Sequence, residues 1–327
     1  MMDTNKKAIL EYIKESLVDG ELPEDFSLPK EDEGGLVFAE GAMDGIYLYH
    51  MLPQELTKEN YDVLSEAVNC VGKREFKAAD VMFGRLSKSH RAIEVRDAIC
   101  NYIWDNRENL KAGNLYEYCI ATIALSGDVE HIKIALIILE LLITNNEELK
   151  EDIRTLALSD EFTWYCMRIM DKWPKGNADI FEVAKRVHGW GRIHAVEVLR
   201  PLIPQSDEIR EWMLKEGINN NVMPFYSALT VWREANIGSI LFVNPTREEL
   251  LYIGRIIDAL LDESAAPGLS TLDKRKEILL KYFEKAEDLS LSDEEYGIIE
   301  HIKEYAEQTD LPEVVQAAKE KLAKRHK

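Results

Sequence analysis

From Thr57 onward the apolar residues recur at the spacing of one helical face, and strand-like alternation is missing. Leu64, Ala67, Val68 and Val71 make one such stripe, and Ile93, Ile99, Ile103 and Trp104 belong to another. A chain with this rhythm folds into helices that bury one face each. A sheet protein would need many more turn residues than the 17 glycines and 10 prolines found among 327 residues. The hydrophobic fraction of 46% is enough to fill a core. The expected fold class is therefore all-α.

Helix starts are marked in several places. Ser159-Asp160-Glu161, Ser206-Asp207-Glu208 and Ser292-Asp293-Glu294-Glu295 each place a hydroxyl before acids. The hydroxyl accepts from a free backbone N–H, and the acids favour the positive end of the helix. Thr246 with Glu249, and Ser292 with Glu295, have capping-box spacing. The helices also fall into pairs. First helices are predicted at 115–125, 148–157, 178–188 and 207–215, with partners at 128–143, 160–171, 192–202 and 222–235. The repeat is structural, at roughly 30 residues, because the units share little sequence. Helix pairs of this kind cannot bury their faces alone and must stack. The expected architecture is a solenoid of antiparallel helix pairs with capping helices at both ends, similar to the HEAT and armadillo group.

The N-terminal part differs. Ile9, Leu10, Ile13 and Leu17 share the face of a first helix. An acidic segment with prolines at 23 and 29 follows from Gly20 to Gly35, which excludes a continuous helix. It reads as an ordered loop that docks through Phe26 and Leu28. Residues 36–51 mix small and apolar side chains and predict a helix packed closely through its glycines. The organisation expected is a helix, loop and docking segment over 1–56, a repeat body over 57–245 and a helical cap over 246–327, forming one continuous unit. The most apolar stretch, Ile132 to Ile143, carries Lys133 and Glu140 and falls short of the ~20 residues a membrane span requires. It predicts the central buried helix.

Charge narrows the partners. A formal net charge of −20 disfavours nucleic acid and anionic membranes, because neither gains by meeting an acidic surface. The four cysteines, Cys70, Cys100, Cys119 and Cys166, are far apart among apolar neighbours. Neither a zinc site nor a disulfide framework is expected from them, and a cytoplasmic location fits.

No phosphate loop, nucleophile elbow, zinc-protease motif, EF-hand or kinase signature is present in the sequence. One constellation carries chemistry: Lys185-Arg186-Val187-His188-Gly189-Trp190-Gly191-Arg192-Ile193-His194. Two glycines interrupt the helical pattern, and a new helix is expected near Arg192. Arg192 and His194 would then lie beside free N–H groups, an arrangement that suits an anion. The plainer reading has Trp190 plugging the gap between repeats and the histidines bonded to nearby carbonyls. Asn219 and Asn220 occupy the matching turn of the next pair. The candidate ligand-binding residues are thus His188, Trp190, Arg192, His194, Asn219 and Asn220, with no cofactor and no metal expected. The sequence names no catalytic residue.

Three phrases add a resemblance: Leu22-Pro23-Glu24-Asp25-Phe26-Ser27-Leu28-Pro29, Gly41-Ala42-Met43-Asp44-Gly45-Ile46 and Arg186-Val187-His188-Gly189-Trp190-Gly191-Arg192. They resemble an uncharacterised family of Firmicutes proteins whose members carry the label "limonene hydroxylase". The residues fit that label poorly. A haem-thiolate oxygenase needs a Cys ligand in a loop with Gly and Arg, and none of the four cysteines has that setting. A non-haem iron site needs two His and a carboxylate, and only His188 and His194 come near each other in the chain. Three functions remain as expectations. The first is a repeat scaffold binding a protein or an anionic ligand. The second is an enzyme or small-molecule binder with its site at His188–His194. The third is a HEAT-like DNA glycosylase, which would need a basic groove.

Overall fold

The computed structural model describes residues 7–29, 38–199, 206–287 and 290–325. Among them no strand occurs, only an isolated bridge between Val18 and Glu21. The chain divides into two compact units, Met1–Val198 and Leu199–Lys327. That boundary lies inside the 57–245 stretch expected to form one repeat body.

The first unit contains α1 (Ile9–Ser16), α2 (Ala42–His50), α3 (Lys58–Gly72), α4 (Phe76–Leu86), α5 (Ala92–Asp105), α6 (Ala112–Leu125), α7 (Val129–Glu140), α8 (Glu147–Leu156), α9 (Thr163–Met170), α10 (Gly176–Ala184) and α11 (Trp190–Val198). The expected pairs are there as α6/α7, α8/α9 and α10/α11. Successive second helices pack on one another: α7 lies against both α5 and α9, and α9 lies against α11. α7 is apolar all round because it has neighbours all round, and every residue from Ile132 to Glu140 is buried. Burying each Ile or Leu contributes about 1.5–3 kcal/mol, so this helix is the centre of the unit's core.

The N-terminal segment docks as its apolar residues predict. Leu28 is buried, its N–H donates to Glu40 Oε1 at 2.5 Å, and the Phe26 ring lies 5.7 Å from that of Tyr12. Residues 30–37 of the acidic loop lie outside the described residues. α2 is the glycine-bearing helix, and its Gly45 faces the Trp190 indole so closely that a Cβ there would run into the ring.

Two helix starts differ from expectation. Ser159 does not cap α9, which begins four residues later at Thr163 after Phe162. Ser159 instead donates to Glu40 Oε2 at 2.8 Å, and the two acids after it reach other helices. α11 starts at Trp190, two residues before Arg192.

The second unit contains α12 (Asp207–Glu216), α13 (Phe225–Glu234), α14 (Ile237–Val243), α15 (Arg247–Leu261), a short 3-10 turn (Leu269–Thr271), α16 (Arg275–Lys285), α17 (Asp293–Gln308) and α18 (Pro312–Leu322). α15 is its core helix, burying Leu250, Ile253, Ile256, Ile257 and Leu260 against α12, α13 and α17. The predicted caps form. Ser206 accepts from Ile209 N–H at 3.3 Å, and both capping boxes close. At Ser292 the box is tied to a second helix, because Glu295 also takes two 2.5 Å bonds from Arg247. Burial opposes ionisation of Glu295, but Arg247 and Ser292 outweigh it and hold its pKa below the usual carboxylate value. Ser292→Ala is expected to destabilise this unit by about 1 kcal/mol, the usual loss for an N-cap hydroxyl. Urea unfolding followed by circular dichroism measures it, and an unchanged midpoint would remove the cap from the account.

Candidate functional site

The residues singled out at the α10–α11 turn do not share one environment. His188 is exposed. Trp190, Arg192 and His194 are turned inward, at 5%, 4% and 3% exposure. Arg192 donates from Nε to the Val187 carbonyl at 2.8 Å, so its guanidinium is engaged within the turn. His194 stacks on Tyr49 at 6.2 Å with the rings 14° apart and lies 6.1 Å from Trp190. Burial pushes its imidazole down to about 3, so the ring is neutral at physiological pH. Asn219 and Asn220 belong to the second unit. Their amides serve the local turn: Asn219 donates to Lys215 O at 3.2 Å, and Asn220 accepts from Val222 N–H at 3.0 Å.

The start of α11 does hold a carboxyl group, and it is the protein's own Asp160. Its carboxylate takes backbone bonds from Gly189 and Gly191. A Cβ on Gly189 would meet Asp160 Oδ2, and one on Gly191 would meet Oδ1 and the Thr163 hydroxyl. This explains the two glycines around Trp190: the backbone must come close enough for a carboxylate to receive both N–H groups.

The same device occurs twice more around one side chain. Glu161 accepts from Gly41 N–H at 2.7 Å, at the start of α2. Gly41 has φ 71°, in the left-handed region that favours glycine. Glu130, on α7, accepts from Ala92 N–H at 2.6 Å, at the start of α5. Both carboxylates face Lys133, which is 0% exposed. Its ammonium bonds Glu161, lies 3.6 Å from Glu130 and donates to Asp44 Oδ2 at 2.7 Å. Tyr165 donates to the same Asp44 oxygen at 2.9 Å, and the buried Asp44 Oδ1 has no hydrogen-bond partner among the described residues. One ammonium thus joins α2, α7 and the α8–α9 turn, while its partner carboxylates close the starts of α2 and α5.

The electrostatics follow from this geometry. Burial opposes the charge on Lys133, but Asp44, Glu161 and Glu130 outweigh it and raise its pKa. For Glu161 burial is outweighed by Lys133 and by the Gly41 N–H, so its pKa falls. For Glu130 burial wins over Lys133 and the pKa rises. Asp160 is pushed up to about 7 by burial and by the nearby Glu40, with the Gly191 and Gly189 N–H groups working against them. A lysine that acts as a nucleophile needs a lowered pKa and access to substrate. Lys133 has neither, and its role is to neutralise buried carboxylates. Among the described residues no group of three His, Cys, Asp or Glu side chains is placed to hold a metal ion. All four cysteines are free.

A second buried charge shapes an open feature. Glu140, 6% exposed, takes bonds from Arg96 at 2.9 and 3.0 Å and from Arg168 at 2.9 Å. Burial opposes its ionisation, but the two guanidinium groups outweigh it and lower its pKa. The same guanidinium groups lie 5.4 and 5.2 Å from the centre of the Trp164 ring. Trp164 borders a cleft of about 610 Å³ between α5 and the segment running from α2 to α3, lined among others by Tyr47, Met51, Leu56, Tyr61 and Asp97. The sequence reading passed over this cleft. Its residues come from four elements far apart in the chain, so no single stretch of sequence marks it.

No family model, curated protein or solved structure matches this chain.

Two outcomes test the buried junction. Lys133→Met leaves three carboxylates without their cation and is expected to destabilise the first unit by about 3–5 kcal/mol. Thermal and urea unfolding measure it, and a loss below about 1 kcal/mol would refute the neutralising role. Asp160 gives the pH dependence. Its folded pKa of about 7 lies above the ordinary 3.8, so the native state keeps a proton that the unfolded chain releases. Its contribution is fully present below the unfolded value and is lost as pH rises through 7. Asp160→Asn should therefore gain on the wild type between pH 5 and pH 8. An equal difference at both pH values would show that Asp160 does not titrate there.

Proposed function

We propose that this chain is a helical-repeat interaction protein of the HEAT and armadillo type, working in the cytoplasm, and that it engages a protein partner through the cleft beside Trp164. The observation that carries the reading is a contrast. The buried ion clusters at Lys133 and Glu140 tie helices of the first unit together, while apolar side chains stand open at the cleft. Leu48 and Met51 are 38% and 45% exposed, and Leu52 in the same segment is 85% exposed. Clustered apolar exposure of this kind marks a surface that another protein covers. The stacking of α5, α7, α9 and α11 supports the repeat reading, because such units present rigid surfaces. Free cysteines support the reducing compartment.

The competing readings have less behind them. An enzyme or ligand site at His188–His194 would need Arg192 and His194 open to solvent, and both are buried. A glycosylase would need a basic groove, whereas the cleft lining includes Glu55, Glu94 and Asp97. The test is a photo-reactive amino acid placed at Leu52, irradiated in native cells, with the adduct identified by mass spectrometry and the complex rebuilt from purified parts. One dominant protein is expected, with binding weakened at least tenfold by Met51→Asp. The same adducts from Lys77 on α4, or a rebuilt complex indifferent to Met51→Asp, would overturn the proposal.

A further inference from the structure

Around the cleft the charges are unevenly used. Its lining contains three carboxylates, Glu55, Glu94 and Asp97, and one cation, Arg96. Arg96 is already engaged, bonding Asp97 at 2.8 Å and Glu140 at 2.9 and 3.0 Å. Glu94 is 30% exposed at its side chain and Asp97 76%. The hydroxyl of Tyr47 feels the same field. Burial raises its pKa first, and the carboxylates of Glu94 and Asp97 raise it further. Tyr47 and Tyr61 bring aromatic rings to the lining, and Tyr61 is 42% exposed, whereas the Trp164 ring already meets Arg96 and Arg168. The apolar side is Leu48 and Met51 on one wall and Ile93 on the other.

From this combination we infer that the partner docks a short peptide segment carrying Lys or Arg beside aliphatic side chains. The inference rests on the interaction reading above and names the chemistry of the partner. An ammonium or guanidinium placed among Tyr47, Tyr61, Glu55 and Asp97 gains from carboxylates and from ring faces together. The aliphatic neighbours cover Leu48 and Met51 and exclude water around the charges, which strengthens both terms. An acidic segment meets the opposite situation, because three carboxylates face it and the terminal nitrogens of Arg96 already bond Asp97 and Glu140. The volume of about 610 Å³ holds a few side chains of a partner, within the range for discrete binding pockets. The net charge of −20 draws any cationic chain toward the surface, so the experiment must separate cleft from overall charge.

Three fluorescein-labelled 12-residue peptides serve as probes: alternating Leu and Lys, alternating Leu and Glu, and alternating Ser and Lys. Fluorescence anisotropy with the full chain in 0.15 M salt reads binding. Met51→Asp and Glu55→Lys change exposed positions, and thermal melts matching the wild type show that the fold is kept. Leu52→Asp, at an 85% exposed site, replaces either variant that fails that control. The expected result is that the Leu/Lys peptide binds at least tenfold more tightly than the other two. It should lose tenfold or more with Met51→Asp and threefold or more with Glu55→Lys. Equal Leu/Lys binding to wild type and both variants would mean attraction to overall charge and would overturn the inference. Binding of the Leu/Glu peptide that Met51→Asp abolishes would keep the cleft as an interaction site and overturn the basic partner. Binding of neither Leu-containing peptide would overturn the peptide class, and the cleft reading would then stand or fall on the Leu52 adduct.

Discussion

The first unit depends on one buried ammonium. Lys133 sits in the middle of the most apolar helix of the chain, with no exposure, and its charge is tolerated only because Asp44, Glu130 and Glu161 converge on it. Taking those groups out of water costs several kcal/mol per ion, and the mutual attraction together with further donors to the carboxylates offsets it. Here the donors are helix starts. Glu130 receives the α5 N–H of Ala92 and Glu161 receives Gly41 N–H at α2. Neighbouring Asp160 receives those of Gly189 and Gly191 at α11. Each helix start lacks internal partners for its first N–H groups, and each finds one in an acid from a different part of the chain. Neutralisation of carboxylates and closure of helix ends are thus the same set of bonds.

This arrangement accounts for residues whose presence is otherwise hard to explain. Gly45 lets α2 lie on the Trp190 ring, and Gly189 and Gly191 admit the Asp160 carboxylate. The phrases around Gly41–Ile46 and Arg186–Arg192, more than 140 residues apart, are two walls of one junction. These two phrases contain the glycines, Asp44 and Trp190 that build the packing.

Much of the fold was legible in the sequence because helical period and cap chemistry are local. The pairs α6/α7, α8/α9, α10/α11 and α12/α13 fall within a few residues of their predicted places, and the boxes at Thr246 and Ser292 form as read. The junction was not legible, because its bonds join residues up to 121 positions apart. Ser159-Asp160-Glu161 looks like a local helix start, yet its side chains close helices elsewhere, and local patterns cannot distinguish the two uses. One of the two readings of this turn has Arg192 and His194 facing an anion at a helix start. The helix start is there, but the group it holds is the carboxyl of Asp160, and the two side chains lie inside. One signal was available. The apolar stretch from Ile132 to Ile143 contains only two charges, Lys133 and Glu140, and each proves to be the centre of a buried ion cluster. A charge retained in the most apolar helix of a chain implies partners brought from elsewhere.

The central claim is that Lys133 couples helix starts that are distant in sequence into one cooperative element. Hydrogen–deuterium exchange with mass spectrometry tests it most directly, on peptides covering Gly41–Gly45, Ala92–Arg96 and Gly189–Ile193. In the wild type the three should be protected together, with the slow exchange of the α7 core. In Lys133→Met, under conditions where α7 itself remains protected, all three should lose protection in parallel. Loss confined to one of them, or protection unchanged in all three, would contradict the account.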